Sequence, residues 1–405
     1  MAARTWIDRQ RVLMCVIGIG LATAVATADD PDWGAVPLVR HSTLQAVDAG
    51  GGATYPSDAY PLRVRGIVLN NPEDWLDPTP AYDPDVHLWE MGGQWEIFVQ
   101  VYDDPNESYD DADFGGTACW MGQNYGNHIM HQDPWFNYTD AEWISELDRL
   151  DYSAGTETTP VRAGDWIEIR ARAGLFYLGK SNINEQHNND RDWNTGEIGT
   201  DHDFEVVVLQ HGFGLPAPAA LTLGDLKHSD DAPIFDPTRA TGGEHYQLTR
   251  VAIEDVTLDD AAGWGADTYP DLLLLDDTTR SLTLHLGRDP MFDKVFPPTG
   301  SFTVTGILTQ EAEGYPPDFT TGYYLIAVSA ADFDPPLQVC GDANCDGVCD
   351  YADIDVFVEA ISHIGGAGWP YPCPWLNTDL NYDGNVTYAD IDPFVQVLSS
   401  GGFCP

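Results

Sequence analysis

The chain has 405 residues, of which 65 are acidic and 18 basic, for a formal charge of −47. A surface so negative repels the phosphates that dominate nucleic-acid affinity, so free nucleic acid is excluded as a partner. One core does not usually serve a chain of this length, and two or three domains are expected.

Residues 1–28 read as an export signal. Arg4, Arg9 and Arg11 precede an apolar run from Val12 to Val25 that ends at Ala26, Thr27 and Ala28. The run is shorter than the ~20 residues a spanning helix needs, and Gly18, Gly20 and Thr23 break it. No membrane span is expected, and the mature chain is placed outside the cell or at its surface. Loss of Cys15 with the signal leaves Cys119, Cys340, Cys345, Cys349, Cys373 and Cys404. An even set in an exported chain permits disulfides, but spacing alone leaves their pairing open. Zinc is the rival use, yet no C-x2-C pair meets a second pair at finger spacing.

From Leu62 to Val328 short β-type segments alternate with Gly, Pro, Asp and Asn clusters. The segments are Leu62 to Leu69, Trp95 to Val101, Trp166 to Arg172, Phe204 to Leu209, Tyr246 to Val256, Leu272 to Leu275, Leu282 to Leu286, Phe302 to Leu308 and Tyr323 to Val328. Helical spacing is plausible only around Ala141 to Leu150. Gly and Pro at 212–219 suit a stiff linker between a first β domain at 29–211 and a second at 220–334. Each half offers five short strands, with a Gly-led fourth strand at Gly164 to Ile169 and at Gly300 to Gly306. Glycine permits the bulge that closes a small Greek-key barrel.

Both halves therefore resemble the OB-type barrels of exported bacterial proteins, with Val64 to Val68 and Val304 to Leu308 as echoing pieces. A β-sandwich is the rival fold. The resemblance implies a binding surface for either oligonucleotides or oligosaccharides, so fold alone does not choose a ligand.

A second seam, Asp332 to Leu337, precedes a unit at 335–405 that contains neither Lys nor Arg. Asp342, Asn344, Asp346, Asp350 and Asp353 occupy positions one, three, five, nine and twelve of a calcium loop, with Gly347 at six. Asp379, Asn381, Asp383, Thr387 and Asp390 repeat the pattern around Gly384. A hard cation wants six to eight oxygens, so the chain must turn sharply at Gly to bring both loop ends to one ion. Val348 and Asn385, at position seven, contribute backbone carbonyls. An acid-rich chain can match this pattern once by accident; a second copy within forty residues argues against that. Two calcium ions are the expected cofactors.

Each loop is followed by an apolar stripe: Ile354, Phe357, Val358 and Ile361, then Ile391, Phe394, Val395 and Leu398. The spacing describes one helix face. Proline before each loop excludes an entering helix. Loop then helix, written twice, resembles dockerin modules, in the form found on exported proteins of planctomycete-like bacteria. The resemblance implies docking to a cohesin-like scaffold or cell-surface receptor. The positions at which familiar dockerins contact their receptor hold Tyr351, Ala352, Glu359, Tyr388, Ala389 and Gln396 here, so the partner stays open. Because the repeats are related by a pseudo-twofold, the ends of the unit should meet, which predicts a Cys340–Cys404 disulfide. Cys345 is expected to face outward, and Cys349 to pack near Val386.

Other signals point more weakly. Gly174 to Ser181 fits phosphate-loop spacing, but four bulky residues fill it and no packed helix follows, so it is read as coincidence. The polar stretch Asn182 to Asp203 and the group His128, His131 and Asp133 read as solvated surface. Trp89, Trp95, Trp120 and Trp193 would suit either sugar stacking or core packing, with core packing preferred. No nucleophile elbow or zinc-protease helix is present. The sequence thus favours a non-catalytic ligand-binding protein over a carbohydrate-active enzyme such as a glycosyl hydrolase. A polysaccharide is the ligand it suggests.

Overall fold

The computed structural model describes residues 31–80, 92–102, 113–123, 138–152, 158–184, 202–266, 273–312, 314–381 and 383–404. The export signal, Trp89, Trp193, His128, His131 and Asp133 lie outside these residues, as does stretch 185–201 of the polar segment.

The chain is mainly β. The first sheet contains β1 (Leu62–Val68), β2 (Gln94–Val101), β3 (Gly116–Gly122), β4 (Trp166–Ala171), β5 (Leu175–Tyr177), β6 (Lys180–Asn184) and β7 (Phe204–Gln210), in the order β5-β6-β3-β2-β1-β4-β7. Alternation sets the faces: Leu62, Val64, Trp95, Ile97 and Val99 enter the core, whereas Arg63 and Arg65 face outward onto Glu168. Helix α1 (Asp140–Asp151) is capped by Thr139, which accepts from the Glu142 N–H while Glu142 returns a bond to the Thr139 N–H. Trp143 and Leu150, two turns apart, lie on its core side. Strand β5 resumes three residues after β4 ends, and β6 pairs with both β5 and β3. If β4 and β5 count as one interrupted strand, the sheet runs β1-β2-β3-β6-β5/β4 and back to β1.

The second half contains β8 (Ala219–Leu221), β9 (Thr249–Leu258), β10 (Leu273–Asp276), β11 (Ser281–Leu286), β12 (Phe302–Gln310), β13 (Tyr323–Ala327) and β14 (Phe333–Asp334). Pairings β9-β10-β11-β13-β12 and back to β9 close a five-stranded barrel, antiparallel except for β11 with β13. The closure needs a bend in β9. Asp255 takes φ 57° there, and the register with β12 shifts between Phe302 and Val304.

One sequence expectation changes. The echoing pieces around Gly66 and Gly306 lie on β1 and β12, which hold different places in their halves. Each glycine is needed for close approach: a Cβ would come within 2.2 Å of the Gln100 carbonyl at Gly66 and 2.5 Å of the Ile326 carbonyl at Gly306. The phosphate-loop match is the β5–β6 hairpin, and its Lys180 is buried, donating to the Gln310 carbonyl at 2.6 Å.

Nor are the halves simply strung on a linker. Leu69, Trp75, Phe98 and Ala118 of the first pack with Leu248, Ile307, Tyr324 and Ile326 of the second. Backbone bonds stitch the seam: Gly116 N–H to Gln247 O at 3.1 Å, Arg288 N–H to Asp74 O at 2.7 Å and Ala312 N–H to Leu178 O at 2.8 Å. Within it Arg239 pairs with Glu244 at 2.8 Å and also donates to the Gln45 carbonyl, both side chains being buried.

The seam also buries Glu96, whose carboxyl is pushed up to about 7, first by burial and further by Glu311, against the opposing pull of Lys180 and a Trp75 hydrogen bond. A carboxyl raised on folding binds more protons in the native than in the unfolded chain between the ordinary glutamate value and about 7. Its contribution is therefore complete at low pH and declines as pH rises through that window. Glu96→Gln is expected to flatten this decline. Thermal midpoints of wild type and variant from pH 5 to pH 8 test the sign, and parallel curves would refute it.

Candidate metal centre

The C-terminal unit carries α2 (Ile354–Ser362) and α3 (Ile391–Ser400), each following one acidic loop. The loops share one hydrogen-bond plan. Asp342 accepts from the N–H groups of Asp346 (3.2 Å) and Gly347 (2.9 Å), and Asp379 from those of Asp383 (3.2 Å) and Gly384 (2.7 Å). Asn344 and Asn381 accept from Asp346 and Asp383 at 2.8 and 3.0 Å. Asp346 and Asp383 accept from Val348 and Asn385 at 3.2 and 2.9 Å. Gly347 and Gly384, at φ 94° and 81°, make the turn in the left-handed region where side chains are strained.

Position twelve closes each loop. Asp353 Oδ1 accepts from Ala343 and Asn344 and Oδ2 from Asp350; Asp390 Oδ1 accepts from Leu380 and Asn381 and Oδ2 from Thr387. Both carboxylates are fully buried, whereas Asp350 and Thr387 at position nine are exposed. Asp350 and Thr387 serve chiefly as N-caps, accepting from Ala352 and Ala389. With Oδ1 already holding two amides, taking an ion through both carboxylate oxygens would require Asp353 or Asp390 to release one of them.

Burial pushes the Asp353 carboxyl up, and the Asp342 charge adds to it; burial does the same to Asp379, with Asp390 and Asp383 adding. Like charges are thus crowded within each loop. The side chains offered are all hard oxygens, a set that suits calcium or magnesium rather than zinc. Asp342, Asn344, Asp346 and Asp353 would hold one ion, and Asp379, Asn381, Asp383 and Asp390 a second. Among the described residues, no three His, Cys, Asp or Glu side chains converge as a formed metal cluster.

Phe357 and Phe394 stack face to face at 4.0 Å across the pseudo-twofold, within a core of Cys340, Ala343, Ala360, Leu380, Val386 and Val397. Cys340 and Cys404, the pair expected from the repeat, lie at disulfide distance with Cα atoms 5.6 Å apart. Cys345 is exposed as expected and is bonded to Cys373. Cys349 is a free thiol at the edge of the Val386 core, pushed up to about 12 by burial and then by Asp353 and Asp342. Such a thiol is unreactive.

The helix stripes differ from expectation. Phe357 with Ala360, and Phe394 with Val397, form the buried faces. Val358 and Val395 stand 59% and 56% exposed, and Ile354 and Ile391 are also open. Two short helices facing each other through one stacked ring pair can cover only one side of each stripe. Tyr351 and Tyr388, in equivalent places, are 83% and 80% exposed.

Of the tryptophans, Trp95 is core and Trp120 is partly exposed. Asn182 and Asn184, read from the sequence as part of a solvated loop, sit on strand β6; nothing in their apolar spacing marks them. No helix among the described residues is long and apolar enough to cross a membrane. Searched against protein-family models and against curated proteins, the chain matches none.

The bonding plan ranks the loop acids. Asp353→Ala strands three buried or half-buried amides, each costing on the order of 1–3 kcal/mol when left without an acceptor, whereas Asp350→Ala removes one exposed cap worth about 1 kcal/mol. The expected loss of stability is larger for Asp353→Ala, and larger for Asp390→Ala than for Thr387→Ala. Denaturant unfolding of the four variants checks this, and equal losses within either loop would refute it.

Proposed function

We propose that the chain is an exported modular protein in which two OB-like barrels bind a ligand without catalysis. A dockerin-like C-terminal module with two calcium ions attaches it to a cohesin-like scaffold or cell-surface receptor. The observation that carries this reading is the repetition, bond for bond, of one oxygen-lined loop around Asp342 to Asp353 and Asp379 to Asp390. Two separate accidents would not be expected to place the same carboxylates on the same amides.

The OB reading is supported by the order β9-β10-β11-β13-β12, in which the first strand pairs with second and fourth and the third runs parallel to the fifth. The first half has the same order through its interrupted β4/β5 strand. Docking is supported by the apolar faces left open on both tail helices, since contiguous exposed apolar surface marks sites of association. No Lys or Arg follows Lys294, so a receptor for this module would be basic around an apolar centre.

Calcium added to metal-free full-length protein should bind at two sites by titration calorimetry. A ligand bound only by the native state stabilises by about 2.7 kcal/mol at a hundredfold excess over its dissociation constant. The unfolding transition of the tail should therefore rise with calcium and fall with chelator, while that of the barrels stays in place. Absence of heat together with an unmoved tail transition would overturn the calcium assignment.

A further inference from the structure

The two acidic loops share a bonding plan, but they differ in charge and in what supports them. Four carboxylates stand at ligand positions in the first loop, on Asp342, Asp346, Asp350 and Asp353. The second loop has three, on Asp379, Asp383 and Asp390, because Thr387 occupies position nine. The first loop is also braced from outside itself. Cys345, at its fourth position, is bonded to Cys373 in the segment that leads to the second loop. The Cys345 backbone takes φ 60°, in the left-handed region that disfavours residues other than glycine, and the covalent link helps to keep it there. Asn377 extends the brace. Buried four residues beyond Cys373, it donates through Nδ2 to the Asp342 carbonyl at 3.0 Å, and its own carbonyl accepts from the Gly341 N–H at 2.8 Å. Its Nδ2 also lies 3.3 Å from Cys373 Sγ, so one side chain ties the disulfide to the backbone at ligand position one. The second loop contains no cysteine, and its first ligand is fixed locally, by the bond from the Asp379 N–H to the Leu376 carbonyl at 3.0 Å.

Ligand charge and rigidity are the two quantities by which a calcium loop tunes its affinity. Both favour the first loop. A fourth carboxylate draws a divalent cation harder, and a loop already held in shape loses less freedom when the ion arrives. We propose that the two loops are unequal calcium sites: the first holds its ion tightly as part of the fold, and the second fills and empties as calcium around the protein varies. Resting on the reading of both loops as calcium sites, this asymmetry makes the second loop the responsive half of the module. Asp390, its last ligand, directly precedes α3, whose Ile391 and Val395 are exposed. Calcium in the second loop therefore governs how firmly that half of the docking face is held.

The test uses metal-free, full-length protein carrying isotopically labelled glycine, titrated with calcium and followed by calorimetry and by the amide resonances of Gly347 and Gly384, one in each loop. Gly347 should complete its shift first, and calorimetry should resolve two dissociation constants that differ by about tenfold or more. Thr387→Asp supplies the missing carboxylate and should tighten the second loop roughly fivefold; Asp350→Thr makes the reciprocal change and should weaken the first by a similar factor. Replacing the brace in the double variant Cys345→Ser, Cys373→Ser should weaken the first loop on the order of tenfold and leave the second within about twofold. Circular dichroism establishes that the variants are folded, and Thr387→Asp, a change at an exposed cap, carries the test if the serine variant is not. Equal dissociation constants, or Gly384 shifting before or together with Gly347, overturn the asymmetry and leave the calcium assignment intact; so does wild-type affinity in both Thr387→Asp and the folded serine variant. Binding of no calcium at all overturns both.

Discussion

The interaction on which this protein depends is the hydrogen bond from a backbone N–H to a carboxylate. With 65 acids against 18 lysines and arginines, at least 47 carboxylates have no lysine or arginine of their own. Many turn to the main chain. Asp113 fastens the His41 turn through the N–H groups of His41 and Ser42, and Asp165 holds the exit of β7 through Gly212. Asp289 anchors the segment before β14 through Ala330, and Asp231, although paired with Lys227 at 2.7 Å, also ties its turn to β11 through Ser281. These are charge-assisted bonds, stronger than neutral ones, and they require no second side chain. The tail loops apply the same device most densely, with every loop acid accepting from backbone amides.

The same constraint shapes the seam between the halves. An apolar cluster around Phe98 and Ile307 supplies the burial, each large side chain contributing about 1.5–3 kcal/mol. Polar groups placed at its margin fix the register. Gln247 donates to the Gly179 carbonyl and to Gln310, Gln100 accepts from the Arg250 N–H, and Arg239 finds Glu244 without leaving the interior. Because these partners come from both halves, the seam specifies one orientation and not merely contact.

What was legible in the sequence follows the strength of periodic signals. Strands such as β1, β2 and β12 alternate cleanly, and their limits fall within two residues of those expected. The sequence GTACWMG of β3 does not alternate: small residues and flanking glycines hide a strand whose Cys119 and Met121 enter the core while Ala118 packs into the seam. β5 and β6 were masked by their likeness to a phosphate loop, and KSNIN reads as polar because its outward positions face a buried surface rather than water. Side-chain burial depends here on a contact distant in sequence, which local pattern cannot carry. The repeat in the tail was legible because ligand spacing and glycine position are local by nature. The division of each helix face into a buried and an open half was not, since it depends on how two short helices meet.

That meeting follows from the ring stack. Phe357 and Phe394 lie within 1° of parallel, so the helices are held at their centres and everything beyond one ring's width on either side is left uncovered. The Cys340–Cys404 link closes a separation of 64 residues, which in the chain-entropy model removes roughly 4 kcal/mol of unfolded-state freedom. Cys345–Cys373 pins the first loop to the segment before the second. The covalent frame therefore holds the helices together while like charges crowd the loops, and it does so without covering Ile354, Val358, Ile391 or Val395. A module in which stability comes from cross-links and one aromatic stack can leave apolar side chains on its surface, where a partner can reach them, without losing its fold.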